Sequence, residues 1–303
     1  MADGRETSKG AGDSQGPLSI MGEWKHPRFL RRKWHGILLF RIECALGRAR
    51  SGSSLAPPGN VLVVGSPGTG KTEGLKWALG QVRHGRLDDT SRGGSVLDAP
   101  PDPVVSFLCS RGEGKTTTLE DVLEVVRGSG PMSISEKRRF KPRALQEAII
   151  EELREEHVRL LCIDEAQLID EKNLELLRQI PDFGDEVGYP VRLCLVGTGE
   201  LQQKLVAIGQ LGQRFSTITL VDPLGFQEFR KEFTGLHPLL PKVREEATDK
   251  DWRRLERLIF DRTRGNIRQI VEVVMSANEA ALKKGQPLTT RHLTGAVNDL
   301  AIR

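Results

Sequence analysis

Gly65-Ser66-Pro67-Gly68-Thr69-Gly70-Lys71-Thr72 follows the apolar run Val61–Val64 and opens a helical pattern over Thr72–Val82. The octet fits G-x-x-x-x-G-K-[ST] in the strand-to-helix setting that this pattern requires. Its glycines let successive backbone N–H groups curl around phosphates, and the helix N-terminus behind them adds positive potential. Lys71 is placed to reach the β- and γ-phosphates of a nucleotide, and the Thr72 hydroxyl to ligate Mg²⁺. The expected nucleotide loop is therefore Gly65, Ser66, Pro67, Gly68, Thr69, Gly70, Lys71 and Thr72, with ATP and Mg²⁺ as cofactors. A second glycine-bearing stretch, Arg111-Gly112-Glu113-Gly114-Lys115-Thr116, does not qualify. Cys109 stands six residues before its lysine, where a glycine is needed.

Working outward, five short runs rich in β-branched and aliphatic residues recur: Val61–Val64, Val104–Leu108, Arg159–Ile163, Val191–Val196 and Thr217–Val221. They are nearly continuous rather than alternating, as strands buried on both faces of a parallel sheet are. Helical spacing appears between them, in Leu145, Ala148, Ile149 and Leu153 and again in Leu174, Leu177 and Ile180. Alternating strand and helix predicts an α/β fold with a five-stranded parallel sheet, flanking helices and right-handed crossovers. After Val221 the strands stop. Phe226–Phe233, Trp252–Phe260, Ile267–Lys283 and Thr290–Leu300 all read as amphipathic helix, which predicts a small all-helical C-terminal domain. Gly85–Pro103 and Gly128–Pro142 read as loops.

The third run ends in Asp164-Glu165. A carboxylate at a strand tip beside the phosphate loop suits the magnesium shell, which assigns Asp164 to the metal. Glu165 is then placed to orient and deprotonate an attacking water. The chemistry expected is hydrolysis of ATP to ADP and phosphate.

The rest of the chain bounds the reading. With 303 residues there is ample length for a core, and 38% hydrophobic with 28% charged residues is ordinary for a soluble protein. No stretch approaches the roughly 20 apolar residues of a membrane helix. Residues 1–16 lack the apolar segment of a secretory signal and read as a disordered tail, so a cytoplasmic location is expected. The divisions expected are a tail at 1–16, a basic arm at 17–55, a nucleotide-binding α/β domain at 56–225 and a helical lid at 226–303. Cys44, Cys109, Cys162 and Cys194 lie too far apart for a zinc site or a disulfide framework and read as small hydrophobes.

The phosphate loop, the Asp164-Glu165-Ala166-Gln167 box, Val196-Gly197-Thr198 and Gly265-Asn266-Ile267-Arg268 together resemble an AAA+ ATPase, in order and spacing, across roughly residues 56 to 303. Within that superfamily the runs Leu160–Leu168, Leu174–Arg178 and Leu195–Leu201 look like the transposition regulators of the Mu B, TniB and TnsC kind. The Asp-Glu-Ala-Gln box is shared with other bacterial ATPases, including the secretion-linked ExeA type, so the alternative reading is a secretion-linked or protein-remodelling ATPase without direct DNA binding. The resemblance implies that Thr198 is sensor 1, near the γ-phosphate and the water. It implies that Arg268 is sensor 2, brought from the lid onto the phosphates. Arg214, in Gly212-Gln213-Arg214-Phe215, matches the arginine finger that completes a neighbouring subunit's site. His26-Pro27-Arg28-Phe29 lies where such proteins often contact adenine, or is a simple linker.

The net charge of +4 is mild, but its distribution is uneven. Within the arm, the stretch 25–50 sets Lys25, Arg28, Arg31, Arg32, Lys33, Arg41, Arg48 and Arg50 against one acid, Glu43. This arm is either a basic helix packed on the core or a site for DNA or a protein. Lys137, Arg138, Arg139, Lys141 and Arg143 form a second cluster, and Arg111 and Lys115 follow the second strand. Similarity to the transposition regulators implies contact of Arg111, Lys115, Lys137, Arg138 and Arg139 with duplex DNA, independent of base sequence. It also implies ring or helical self-assembly, and a transposase and a target-selector protein as partners.

Overall fold

The computed structural model describes residues 32–47, 59–89, 104–108, 118–128, 141–209, 215 and 217–300. Five parallel strands, β1 (Val61–Gly65), β2 (Val104–Leu108), β3 (Leu160–Asp164), β4 (Arg192–Gly197) and β5 (Thr217–Val221), form one sheet in the order β2-β3-β4-β1-β5. The expected α/β class with a parallel sheet and C-terminal helices is the one observed. Strand residues alternate between two cores: Leu62, Val64, Leu161, Ile163, Leu193 and Leu195 face one layer, and Val61, Val63, Leu160, Cys162, Cys194 and Val196 the other. Both faces are apolar, which is why the runs read as continuous rather than alternating.

Helices α1 (Lys33–Ala45) and α2 (Lys71–Asp89) cover one face through Trp34, Leu38, Ile42, Leu75, Ala78, Leu79 and Val82. The other face is covered by α3 (Leu119–Arg127), α4 (Pro142–Glu155), α5 (Glu171–Glu186) and α6 (Gly199–Ala207). Within the expected basic arm, Lys33–Ala45 is thus helical and packs on the core. Arg32, at its N-cap, grips the start of the helical bundle, donating to Glu228 Oε1 at 2.8 Å and to the Asp222 carbonyl at 2.6 Å. Arg41 donates to the buried Thr219 hydroxyl at 2.9 Å, and burial pushes its guanidinium below the ordinary arginine value.

Two loop expectations are corrected. Gly85–Asp89 continues α2, because one glycine near the end of a long helix costs only about 1 kcal/mol. Pro142 is not loop but the first turn of α4, where its missing N–H would have had no helical partner. Residues 90–103, 129–140 and Cys109 lie outside the described residues. Cys162 and Cys194 are buried thiols outside any disulfide, whereas Cys44 is half-buried on α1.

The C-terminal helices are α7 (Phe226–Glu232), α8 (Leu240–Glu246), α9 (Asp249–Thr263), α10 (Ile267–Lys283) and α11 (Thr290–Leu300). They enclose a separate core of Phe229, Phe233, Trp252, Leu255, Ile259, Ile270, Val274, Leu293 and Val297. The helix expected to run to Phe233 stops at Glu232 and tightens into a 3₁₀ turn at Phe233–Gly235. No described helix is long and apolar enough to cross a membrane.

Candidate functional site

The strand order brings three C-terminal strand ends side by side. β4 lies between β1 and β3, so the loop after β1, Thr198 after β4 and Asp164-Glu165 at the end of β3 share one edge. Open parallel sheets bind ligands at such an edge, where the chain order reverses.

Within the loop, Lys71 is 5% exposed and donates to the carbonyls of Gly65 at 2.8 Å and Ser66 at 2.9 Å. Two of the three N–H donors of an ammonium are thus used inside the loop. Burial pushes the Lys71 ammonium below the ordinary lysine value. Glu165 and then Asp164 pull it back up, and Arg268 pushes it down. Three charges, on Glu165, Asp164 and Arg268, therefore act on the Lys71 ammonium. Thr69 is fully buried and donates to the Ser66 carbonyl at 2.8 Å, holding the turn. Gly68 has φ +78°, and a methyl on it would overlap Asn266 Oδ1. Only a residue without a side chain fits both that backbone conformation and that approach.

Asp164 is 4% exposed. Its Oδ1 accepts from the Glu165 N–H at 2.8 Å, while its buried Oδ2 has no hydrogen-bond partner. A carboxylate oxygen desolvated without a partner is costly, and a hard cation or its water shell offsets that cost. With the Thr72 hydroxyl it offers the oxygen ligands that Mg²⁺ takes, so these residues fit the expected ion. Glu165 has φ 54°, a left-handed conformation uncommon for a residue with a side chain. Gln167 Nε2 donates to Glu165 Oε2 at 2.5 Å, and Gln167 Oε1 accepts from the Thr198 N–H at 3.2 Å.

The helical bundle reaches the same loop. Gly265 has φ +74°, and a methyl there would overlap the Leu224 carbonyl oxygen, so the turn before α10 lies directly on the connection from β5. The turn places Asn266 as N-cap of α10, donating to the Pro67 carbonyl at 2.8 Å. The Arg268 N–H donates to the Gly68 carbonyl at 3.2 Å. Thr198 stands at the N-cap position of α6, without a side-chain capping bond. Of the residues singled out from sequence, Gly65–Thr72, Asp164, Glu165, Thr198 and Arg268 are thus brought to one edge. Arg214, Arg111, Lys115, Lys137, Arg138, Arg139 and His26–Phe29 lie outside the described residues. Sequence reasoning passed over Gln167 and Asn266 as participants, although Asn ahead of an apolar helical stripe is an N-cap signal.

Residues 56–205 match the family model described as AAA domain. No curated protein matches the chain. Among solved structures, the chain is similar to the Aeropyrum pernix ORC2 protein in its ADPNP-ADP complexes. That match has 22% identity and a TM-score of 0.58, and covers 91% of this chain and 70% of that one. It is also similar to the Aeropyrum pernix ORC1 protein in complex with DNA, at 17% identity, a TM-score of 0.58 and coverage of 91% and 66%. Cdc6p from Pyrobaculum aerophilum matches at 16% identity and a TM-score of 0.56, over 86% of this chain and 66% of that one. At these identities the likeness is one of fold, and the chain spans about two thirds of the length of these proteins. Residues 56–205 thus match an AAA domain model, and the fold, a P-loop α/β sheet with C-terminal helices, is similar to that of the Orc and Cdc6 proteins.

Proposed function

We propose that the chain is an ATP-hydrolysing AAA+ protein that assembles on duplex DNA in its ATP-bound state and is released by hydrolysis. One observation carries this reading: Lys71, the unpartnered buried oxygen of Asp164, Glu165 and the lid residue Arg268 converge on a single P-loop. The loop amides and Lys71 would hold the phosphates, and Thr72 with Asp164 would hold Mg²⁺, which would supply positive charge against the phosphates. Glu165 would take the proton from water as its oxygen bonds to the γ-phosphorus and the bond to the β–γ bridging oxygen breaks. Thr198 would orient that water, and Arg268 and a neighbouring subunit's Arg214 would neutralise the charge that develops. Residues 56–225 would act as the nucleotide domain and 226–303 as its lid.

The finer role is target selection in DNA transposition, with recruitment or activation of a transposase. It rests on the motif resemblance of Leu160–Leu168, Leu174–Arg178 and Leu195–Leu201. The Aeropyrum pernix ORC1 protein, which is similar in fold, is in complex with DNA, and this supports DNA as a partner of this chain. Arg111, Lys115 and the 137–139 cluster would contact phosphates. The test is ATP-dependent binding to unrelated duplexes across a salt series. Each phosphate contact should steepen the fall of log affinity with log salt by about 0.9. Replacing Arg111 and Lys115 with Ala should flatten that slope by about two per contacting subunit, equally for each sequence. No duplex binding in ATP, with turnover unaffected by DNA, would contradict the DNA half of this reading.

A further inference from the structure

Gln167 lies two residues beyond the expected base, on the 3₁₀ turn Ala166–Leu168, and is only 7% exposed. Both halves of its amide are used. Nε2 donates to Glu165 Oε2 at 2.5 Å, and Oε1 accepts from the Thr198 N–H at 3.2 Å. These two partners fix the amide's orientation, because a flipped amide would set an NH₂ group against an N–H and an oxygen against a carboxylate. The turn is itself anchored from α6: Lys204 Nζ donates to the carbonyls of Gln167 at 2.6 Å and Ile169 at 3.1 Å. Leu168 N–H closes the turn onto the Glu165 carbonyl at 2.9 Å.

We infer that Gln167 is a positioning residue for hydrolysis, acting through Glu165 and resting on the ATPase reading above. It holds one carboxylate oxygen of Glu165, so the other is presented to water in a single orientation. Through its carbonyl oxygen it ties that orientation to the turn at Thr198, the first residue after β4. The base and the Thr198 turn therefore move as one unit, and a shift of α6 relative to the sheet reaches Glu165 through Lys204 and Gln167. A carboxylate free to rotate samples the productive angle only part of the time. Misplacement of this order costs up to about 100-fold in rate.

The discriminating substitution is Gln167→Glu. It keeps the size of the side chain and an acceptor for the Thr198 N–H, but sets a second carboxylate against Glu165. We expect turnover about 10- to 100-fold below wild type, with ATP affinity and melting temperature nearly unchanged. Gln167→Asn should lose a similar amount, its side chain being one methylene too short to bridge. In a Glu165→Gln background, Gln167→Glu should have no further effect, because there is no base left to orient. Turnover at or above wild type in Gln167→Glu overturns the inference, as does a loss of ATP affinity that matches the loss of turnover. An additive loss in the double mutant overturns it too. If wild type and Glu165→Gln turn over at the same rate, the ATPase reading has failed and takes this inference with it. If wild type far exceeds Glu165→Gln while Gln167→Glu matches wild type, only the role of Gln167 has failed.

Discussion

Asn266 donates from Nδ2 to the Pro67 carbonyl at 2.8 Å, while its Oδ1 caps α10 by accepting from the Gln269 N–H at 3.2 Å. One side chain thus starts the helix that carries Arg268 and fastens that helix to the phosphate loop. The two roles separate by substitution. Asn266→Ser keeps a capping oxygen but is too short to reach Pro67, whereas Asn266→Ala loses both. We expect Asn266→Ala to cost about 1 kcal/mol more than Asn266→Ser in denaturant unfolding, the usual weight of an N-cap. Both should weaken ATP binding to a similar extent, as measured by titration with a fluorescent analogue.

Gly68 meets the same residue from the other side. With φ +78° and no room for a methyl against Asn266 Oδ1, Gly68→Ala combines a left-handed backbone penalty of about 1–2 kcal/mol with displacement of Asn266 and the start of α10. ATP affinity should fall more in Gly68→Ala than in Asn266→Ser. A Gly68→Ala protein with unchanged affinity would show that loop and lid do not meet this way in solution.

Arg32 and Glu228 form the second tie between the layers. Two parallel bonds, 2.8 Å from Nε and 3.1 Å from Nη2, join the start of α1 to α7. The guanidinium is mostly covered, but Glu228 is over a third exposed, so screening lowers its worth to about 1 kcal/mol. A double-mutant cycle of Arg32→Ala and Glu228→Ala should return a coupling of that size. Arg32→Lys should behave like Arg32→Ala, since an ammonium cannot make the fork. Strictly additive losses would remove the tie from this description.

His237 gives the fold an acid limit. It is 1% exposed, its Nδ1 accepts from the Leu239 N–H at 3.2 Å, and burial lowers its pKa from 6.5 to about 4. The unfolded chain takes up a proton near pH 6.5 that the folded chain refuses until about pH 4. The unfolded state binds more protons across that window, so stability falls as pH falls through it. At about 1.4 kcal/mol per pKa unit, the loss reaches up to roughly 3 kcal/mol. Melting temperature against pH should show this slope in wild type and a flatter one in His237→Gln.

The strands were legible because burial on both faces leaves continuous apolar runs, and the P-loop because its backbone demands glycine. Strand ends were less so: β3 extends to Asp164 and β4 to Gly197, one residue beyond the apolar runs, because ladder pairing such as Leu108 with Asp164 does not require apolar side chains. Helix α3 escaped notice. It has nine residues, and its signal is the short capping box between Thr118 and Asp121 rather than a long stripe. The ties at Asn266–Pro67 and Arg32–Glu228 join residues 199 and 196 positions apart, so no periodicity marks them. Gln167 sat in a quoted motif, but its bond to the Thr198 N–H depends on β3 and β4 being neighbours, which is a property of the sheet.

The central claim is that Glu165 activates water at a site that binds ATP without it. ATP turnover and ATP affinity measured side by side for wild type and Glu165→Gln test it most directly. The substitution keeps side-chain size and removes the basic carboxylate, so affinity should stay within a few-fold while turnover falls by about 10²-fold or more. Wild-type turnover in Glu165→Gln, or a parallel loss of affinity and turnover, would contradict the claim.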